Sequence, residues 1–201
     1  MAGADAPRPT LIERRRETTR LDIAEAAADL FIRRGYDATT VDEIARAAGI
    51  SLRTFYRHCP AKEDALTPLL TGGVVGLVDH LERQPSDVPL PAAVQEAFIA
   101  SAEGLRPSGP ARTRELIRVM GGVPEIRMRW LAAARSMQDR LAPVLAARGG
   151  PSAGSLEARL LAAVVIDAIT VALEYWAEHD SPDDVTDVSA RTLALLRLED
   201  R

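Results

Sequence analysis

Residues 39–66 read TTVDEIARAAGISLRTFYRHCPAKEDAL and predict two short helices joined by a tight turn. Thr40 stands where the first helix needs an N-cap, and Glu43 follows three residues later, which is the spacing of a capping box. Gly49 ends that helix because glycine readily adopts the left-handed conformation of a C′ residue, and Ser51 can cap the next helix at once. Two helices joined so closely through a glycine predict a helix-turn-helix.

The faces of the two helices differ in chemistry. Apolar residues of the first helix repeat at i, i+3, i+4 and i+7, as on a buried face, and they are Val41, Ile44, Ala45 and Ala48. Ile50 and Phe55 have the spacing of a hydrophobic staple at the start of the second helix. The rest of the second helix offers donors for base edges and phosphates and one apolar tip for a thymine methyl group, on Leu52, Arg53, Thr54, Tyr56, Arg57 and His58. This face predicts an interface with double-stranded DNA.

The stretch resembles the TetR family of bacterial transcriptional regulators. The matching residues are Thr40, Ile44, Ala45, Ala48, Gly49, Ile50, Ser51, Thr54, Phe55, Tyr56, His58, Lys62 and Leu66. Cys59 departs from the family pattern, which usually has a large apolar residue there, and suggests compensating packing nearby. The resemblance implies a homodimeric regulator, usually a repressor, that binds a palindromic operator and is released by a small, largely apolar or acyl-type effector.

The resemblance also implies roles for single residues. We expect Leu52 and Arg53 to meet base edges, and Thr54 and Arg57 to contact either bases or phosphates. The residues expected to hold phosphate are Tyr56, His58, Lys62 and Thr40, the last chiefly through the helix that it begins, while Ser51 belongs to the same DNA-binding set.

Composition predicts an all-α chain. Apolar residues make up 47% of the 201 residues but aromatic residues only 4%, so the core must consist mainly of alanine, leucine and valine. Alanine and leucine favour helices, and no period-2 strand pattern is evident. We expect about nine helices, with a three-helix DNA-binding domain followed by a larger helical domain for ligand binding and dimerisation.

The charge distribution is consistent with DNA binding by the N-terminal third. The net charge is −4, but residues 1–66 hold 11 basic and 11 acidic residues, so the rest of the chain carries the negative excess. A DNA surface would have to concentrate its positive charge on one face, and ordinary solvated faces are the alternative interpretation. Twenty-four of the 25 basic residues are arginine, which is typical of a GC-rich genome.

The pattern divides the chain into a disordered tail at 1–9, a DNA-binding domain at 10–60 and a helical domain at 61–201. A long helix should run from Thr10 to Gly35. Near its start, Arg14, Arg15 and Arg16 either are solvated or touch DNA, as arms of some family members do.

The helix expected from Lys62 to about Gln84 contains Pro68 and the run TGGVVG at 71–76. Interior glycines cost stability, so this helix should be kinked or in unusually close contact with a neighbour. Our hypothesis is that the stretch from Pro68 to Gly76, which includes Gly72 and Gly73, makes the helix pliable enough to transmit ligand binding to the DNA-binding domain.

The C-terminal half predicts a partner surface. A helix from Ser155 to about His179 is apolar on two sides, and a last helix is expected at about 182–198. We therefore expect a homodimer through residues 155–198, although packing within the chain could also absorb these faces. Short pieces of the domain resemble a TetR subgroup that binds acyl-CoA-like molecules. Candidates for lining its pocket, with plain core as the alternative, are Phe98, Met120, Met128, Trp130, Tyr175 and Trp176.

The sequence offers no catalytic, metal-binding or cofactor motif. The three histidines lack metal-ligand spacing, and no P-loop or dinucleotide fingerprint is present. A single cysteine and the absence of a signal peptide predict a cytoplasmic protein, and the longest apolar run, 160–173, is too short to span a membrane. The alternatives to a regulator are an all-α small-molecule-binding protein or enzyme with a vestigial DNA-binding domain, and a protein–protein adaptor.

Overall fold

The computed structural model describes residues 10–104, 109–148, 152, 154–179 and 184–195. Within these residues it contains nine α-helices, one 3₁₀ turn and no strand, which confirms the all-α prediction. The tail predicted to be disordered at 1–9 and the end of the last helix after 195 lie outside the described residues.

The helices begin and end close to the capping and helix-breaking residues of the sequence. They are α1 Leu11–Arg34, α2 Val41–Ala47, α3 Leu52–His58, α4 Thr67–Arg83, α5 Leu90–Gly104, α6 Gly109–Gly122, α7 Pro124–Ala147, α8 Leu156–Glu178 and α9 Val185–Leu195, with the 3₁₀ turn at Glu63–Leu66.

The described chain forms two compact units that divide between Pro68 and Leu69, whereas the sequence suggested a division after residue 60. The difference arises because the 3₁₀ turn packs on α1. Ala65 and Leu66 in that turn are fully buried, so their apolar surface belongs to the core of the first unit.

Local capping fixes the helices of the first unit. Thr10 and Thr40 each form a complete capping box, with Glu13 and Glu43 respectively. Gly49 has φ +67° after α2, and the Ser51 hydroxyl accepts the Thr54 amide at 3.2 Å to begin α3. The caps predicted from the sequence are therefore confirmed.

One apolar core joins the three helices of the first unit. Its largest fully buried side chains are Ile23, Phe31, Ile44, Phe55 and Leu66. Cys59, at the end of α3, is 3% exposed and therefore packs in this core as a small side chain. Burial raises the pKa of its thiol to about 11, so the thiol stays protonated at neutral pH.

In the second unit, the glycine-rich segment is one helix, α4. Pro68 lies in its first turn, where proline is tolerated. A Cβ on Gly76 would lie 3.3 Å from the Cβ of buried Ser101 on α5, and the Ser101 hydroxyl donates to the Gly73 carbonyl. Of the two predicted alternatives, a kink or a close contact with a neighbour, the structure shows the close contact at Gly76.

Helix α8 lies at the centre of the second unit and packs on α6, α7 and α9. The core between these helices includes Ile126, Leu141, Ile166 and Trp176. No helix in the described ranges is long and apolar enough to cross a membrane.

Candidate nucleic-acid interface

Helix α3 is attached to the first unit by a single buried side chain. Phe55 is fully buried, and Tyr56 meets its ring edge-on with the centroids 5.6 Å apart. Helix α3 is only two turns long, and Phe55 is its one buried side chain. The remaining residues of the helix face outward in whole or in part.

The outward face of α3 carries the predicted contact residues. Arg53 and Arg57 are exposed, and neither has an ion-pair partner among the residues described. Leu52 is 44% exposed and Tyr56 52% exposed. Two guanidinium groups, a phenol and an apolar tip on one short helix match the chemistry needed for phosphates, base edges and a thymine methyl group.

Three of the predicted contact residues have their hydroxyl groups engaged locally. The Ser51 and Thr54 hydroxyls share a hydrogen bond of 2.9 Å, and the Thr40 hydroxyl donates to Glu43 at 2.9 Å. Glu43 is held further by Arg34, whose guanidinium lies 2.9 Å from its carboxylate. These hydroxyls therefore set the helix ends, and Thr54 is half-buried in doing so.

His58 ends α3 in a half-buried position. Its Nδ1 atom is buried and has no hydrogen-bond partner in the described structure. Burial, assisted by Arg57, Arg20 and Arg16, lowers the pKa of the imidazole. At neutral pH the ring is therefore uncharged, within a patch that is otherwise positive.

Two of the charges that lower the pKa of His58 belong to arginines of α1, Arg16 and Arg20. Arg16 and Arg20 are exposed, and they stand seven residues before Ile23 and Ala27, which are buried. Seven residues are nearly two turns, so the two arginines continue the inward face of α1 beyond the core. The sequence analysis missed Arg20, although this spacing was a visible signal, and Arg14 and Arg15 point elsewhere around the helix.

Lys62 makes its described contacts within the first unit. Its ammonium group donates to the carbonyl oxygens of Tyr36 at 2.7 Å and Thr39 at 3.0 Å. It also lies 3.8 Å from the centroid of the Tyr36 ring. The structure thus engages Lys62 inside the first unit, and the phosphate contact expected for it stays a prediction.

The six candidates for a ligand pocket in the second unit divide into two groups. Phe98, Met120, Trp130 and Trp176 are buried. Met128 is 73% exposed and Tyr175 is 46% exposed, stacked on His179. These two therefore do not line the interior of one chain, because each projects from the outer side of its helix. Arg114 lies over the Trp176 ring at 4.5 Å, which adds a cation to the buried group.

The described residues contain no group of three or more side chains suited to holding a metal ion. What the first unit does present is a helix-turn-helix with a basic, polar outer face, and this defines a DNA-binding protein.

Comparison with known proteins defines the family. Residues 23–66 match the family described as bacterial regulatory proteins of the tetR family, and residues 88–199 match the MftR C-terminal domain. The chain therefore belongs to the TetR family, and it is a transcriptional regulator.

Individual relatives agree with this assignment. The chain is 32% identical to the transcriptional regulator TcmR of Streptomyces glaucescens over 71% of its own length and 65% of TcmR. It is 28% identical to a Mycobacterium tuberculosis protein named as the mycofactocin biosynthesis regulator MftR, over 87% of this chain and 88% of that one. The crystal structure of Thermus thermophilus FadR, a TetR-family repressor in complex with lauroyl-CoA, aligns with a TM-score of 0.60 and 26% identity over 88% of this chain and 92% of FadR.

Proposed function

We propose that this protein is a cytoplasmic, non-enzymatic repressor that binds a palindromic operator as a homodimer and leaves it when a small acyl-type molecule binds the second unit. The observation that carries the proposal is the outer face of α3, where Arg53, Arg57 and Tyr56 stand exposed on a helix anchored by Phe55. An exposed face with two guanidinium groups suits a polyanion, which favours DNA binding over a vestigial DNA-binding domain.

Direct DNA contacts come from α3 and from the start of α1. Arg53 and Leu52 read base edges, and Tyr56, Arg57 and His58 hold the backbone. Arg16 and Arg20 add positive charge beside His58, so they extend the phosphate contacts along α1.

The homodimer forms through an exposed apolar stripe on α8. Its members recur every three to four residues or multiples of that spacing, and they are Leu156, Leu160, Val164, Val171 and Tyr175. Asp167 is also exposed and occupies the gap in the stripe, where it accepts a hydrogen bond of 3.4 Å from Gln138. A second copy of the same helix would cover this stripe, as a two-fold symmetric interface requires.

The effector binds among the buried large side chains of the second unit. Trp130, Met120, Phe98 and Trp176 supply apolar and polarisable surface, and Arg114 lies against Trp176. The FadR that aligns with this chain was solved with lauroyl-CoA, which supports an acyl thioester as the class of effector.

The test is a footprint of the purified protein on DNA upstream of its own gene, followed by titration with lauroyl-CoA. We expect protection of a palindrome with half-sites about one helical turn apart, and loss of protection as the thioester is added. Free coenzyme A is the control, since it keeps the charged groups but lacks the acyl chain.

The two halves of the proposal can fail separately. No protected palindrome would contradict operator binding, whereas protection that survives both lauroyl-CoA and free coenzyme A would contradict only the acyl effector. Release by free coenzyme A as well would assign recognition to the charged groups of the molecule.

A further inference from the structure

Lys62 is the only lysine in the chain, in which the other 24 basic residues are all arginine. Arginine and lysine differ in shape, since a guanidinium is a planar fork and an ammonium is a compact point charge with three diverging donors. A chain that uses arginine at every other basic position therefore draws attention to what surrounds this one ammonium group.

The surroundings of Lys62 form a cradle for a compact cation. The Tyr36 carbonyl, the Thr39 carbonyl and the face of the Tyr36 ring converge on Nζ at 2.7, 3.0 and 3.8 Å respectively. Hydrogen bonds to an ionised donor are stronger than neutral ones, and an aromatic face adds attraction for the cation.

The platform for the ammonium group is itself held in place. The Tyr36 ring meets Phe31 edge-on with centroids 5.3 Å apart, and its hydroxyl donates to Glu63 at 3.1 Å. The Thr39 amide donates to the Tyr36 carbonyl at 3.2 Å, so the two carbonyls bound by Lys62 are the ends of one tight turn.

The two hydrogen bonds that Lys62 donates, here called the Lys62 tie, join positions that are far apart along the chain. Thr39 immediately precedes the Thr40 cap of α2, and Lys62 follows α3 by four residues. The bond from Lys62 to Thr39 therefore closes the segment that contains α2 and α3 and nothing else. Phe55 is the one buried side chain within α3, so the place of this short helix depends strongly on what holds its two ends.

We propose that Lys62 is a positioning residue for DNA recognition, which ties the two ends of the helix-turn-helix together and so sets the place of α3 without itself touching DNA. This proposal rests on the proposed operator binding. It assigns Lys62 a function through the backbone of residues 36–39 instead of a phosphate contact.

The test uses Lys62→Met and Lys62→Arg in the full chain. Lys62→Met keeps an unbranched apolar side chain but removes the ammonium group, and we expect operator affinity to fall about tenfold. Lys62→Arg keeps the charge in a shape that does not suit the cradle, and it should lose affinity as well. In both variants the salt dependence of binding should remain that of the wild type, because no phosphate contact is lost.

Hydrogen exchange supplies a measurement that needs no DNA. The amides of Thr39 and of the first turn of α2 should exchange faster in Lys62→Met than in the wild type. Ile23→Val is the matched control, because it removes one buried methyl group from the same core but leaves the turn intact. Binding is compared at a temperature where every variant is fully folded.

Each alternative has its own result. Normal affinity in Lys62→Arg, together with a salt slope reduced by about one per subunit in Lys62→Met, would overturn the proposal in favour of a phosphate contact. An affinity loss in Lys62→Met no larger than that in Ile23→Val would make Lys62 merely structural. Unchanged exchange of the Thr39 amide in Lys62→Met would show that Lys62 does not hold this turn in place. If the wild-type protein bound no operator, the proposed function would fail, and the exchange result would still decide whether the tie exists.

Discussion

Helices α3 and α8 both leave side chains exposed, but the exposed chemistry is opposite. On α3 the outer face is basic and polar, with Arg53, Arg57 and Tyr56. On α8 the exposed stripe is apolar, and Leu160 and Val171 are 54% and 58% exposed. A cationic face suits a polyanion, whereas an apolar stripe of this length requires cover from another apolar surface.

The two helices also differ in how they are held. Helix α3 has one buried side chain and depends on caps and on the Lys62 tie, whereas α8 is packed by three neighbouring helices. The placement of α3 therefore depends on a few local contacts near its ends, whereas the placement of α8 follows from packing along its length.

Charging the α8 stripe should have the largest effect. Val171→Arg or Leu160→Arg would force a guanidinium into the proposed apolar seam, so we expect a monomer in light scattering. Operator affinity should fall at least about a hundredfold, because each half-site would then bind without the effective concentration that the dimer provides.

The matched control for these variants is Gln95→Arg, which adds the same group at an exposed position on α5. It should remain dimeric and bind normally. If Val171→Arg and Leu160→Arg also remain dimeric, the stripe is not the interface, and its exposure needs another partner.

Removing one guanidinium from α3 should have a smaller and more selective effect. If Arg53 reads a base, Arg53→Ala should relax discrimination at one operator position by about 1–3 kcal/mol. Selection of binding sites from a randomised operator would measure this directly. Arg46→Ala is the control, because Arg46 is exposed on α2 and paired with Asp42.

A uniform loss of affinity across all operator sequences would instead make Arg53 a phosphate contact. At Arg53, α3 would then contribute positive charge but no recognition of the base sequence.

The DNA-binding unit could be predicted almost completely because its signals are local. Thr40 with Glu43, Gly49, and Ser51 fix helix ends through bonds between residues three or four apart, and each appears in the structure as expected. The place of Lys62 could not be predicted this way. Its partners lie 23 and 26 residues earlier, and a lysine near a recognition helix reads equally well as a phosphate contact.

The second unit shows where such prediction stops. A large apolar residue looks the same in sequence whether it faces the core, as Trp176 does, or solvent, as Met128 does. The difference is set by which side of α7 and α8 the other helices cover, and that depends on contacts between distant segments. The glycines of α4 left two alternatives open in the sequence, a kink or a close contact, and the approach of Ser101 to Gly76 shows the close contact.

The smallest predicted effect concerns pH and His58, at the end of α3. Burial and the nearby Arg57, Arg20 and Arg16 lower the pKa of His58 in the free protein, and a DNA phosphate beside the ring would raise it in the complex. The complex then binds more protons than the free protein, so operator affinity should rise a few-fold as pH falls through the interval between the two pKa values. Affinity measured at constant ionic strength between pH 8 and about 5.5 should show this rise in the wild type but not in His58→Asn.

Folding stability should change in the opposite direction, which separates the two effects. Because the folded state holds His58 at a pKa below its ordinary value of about 6.5, the unfolded chain takes up the proton first. The free energy of unfolding should therefore be higher above pH 6.5, the ordinary pKa of histidine, and should decrease as pH falls below it. The His58→Asn variant should not show this decrease. Parallel affinity curves for the wild type and His58→Asn would mean that no phosphate approaches the ring, and DNA contact at this end of α3 would then fall to Arg57 and the α1 arginines.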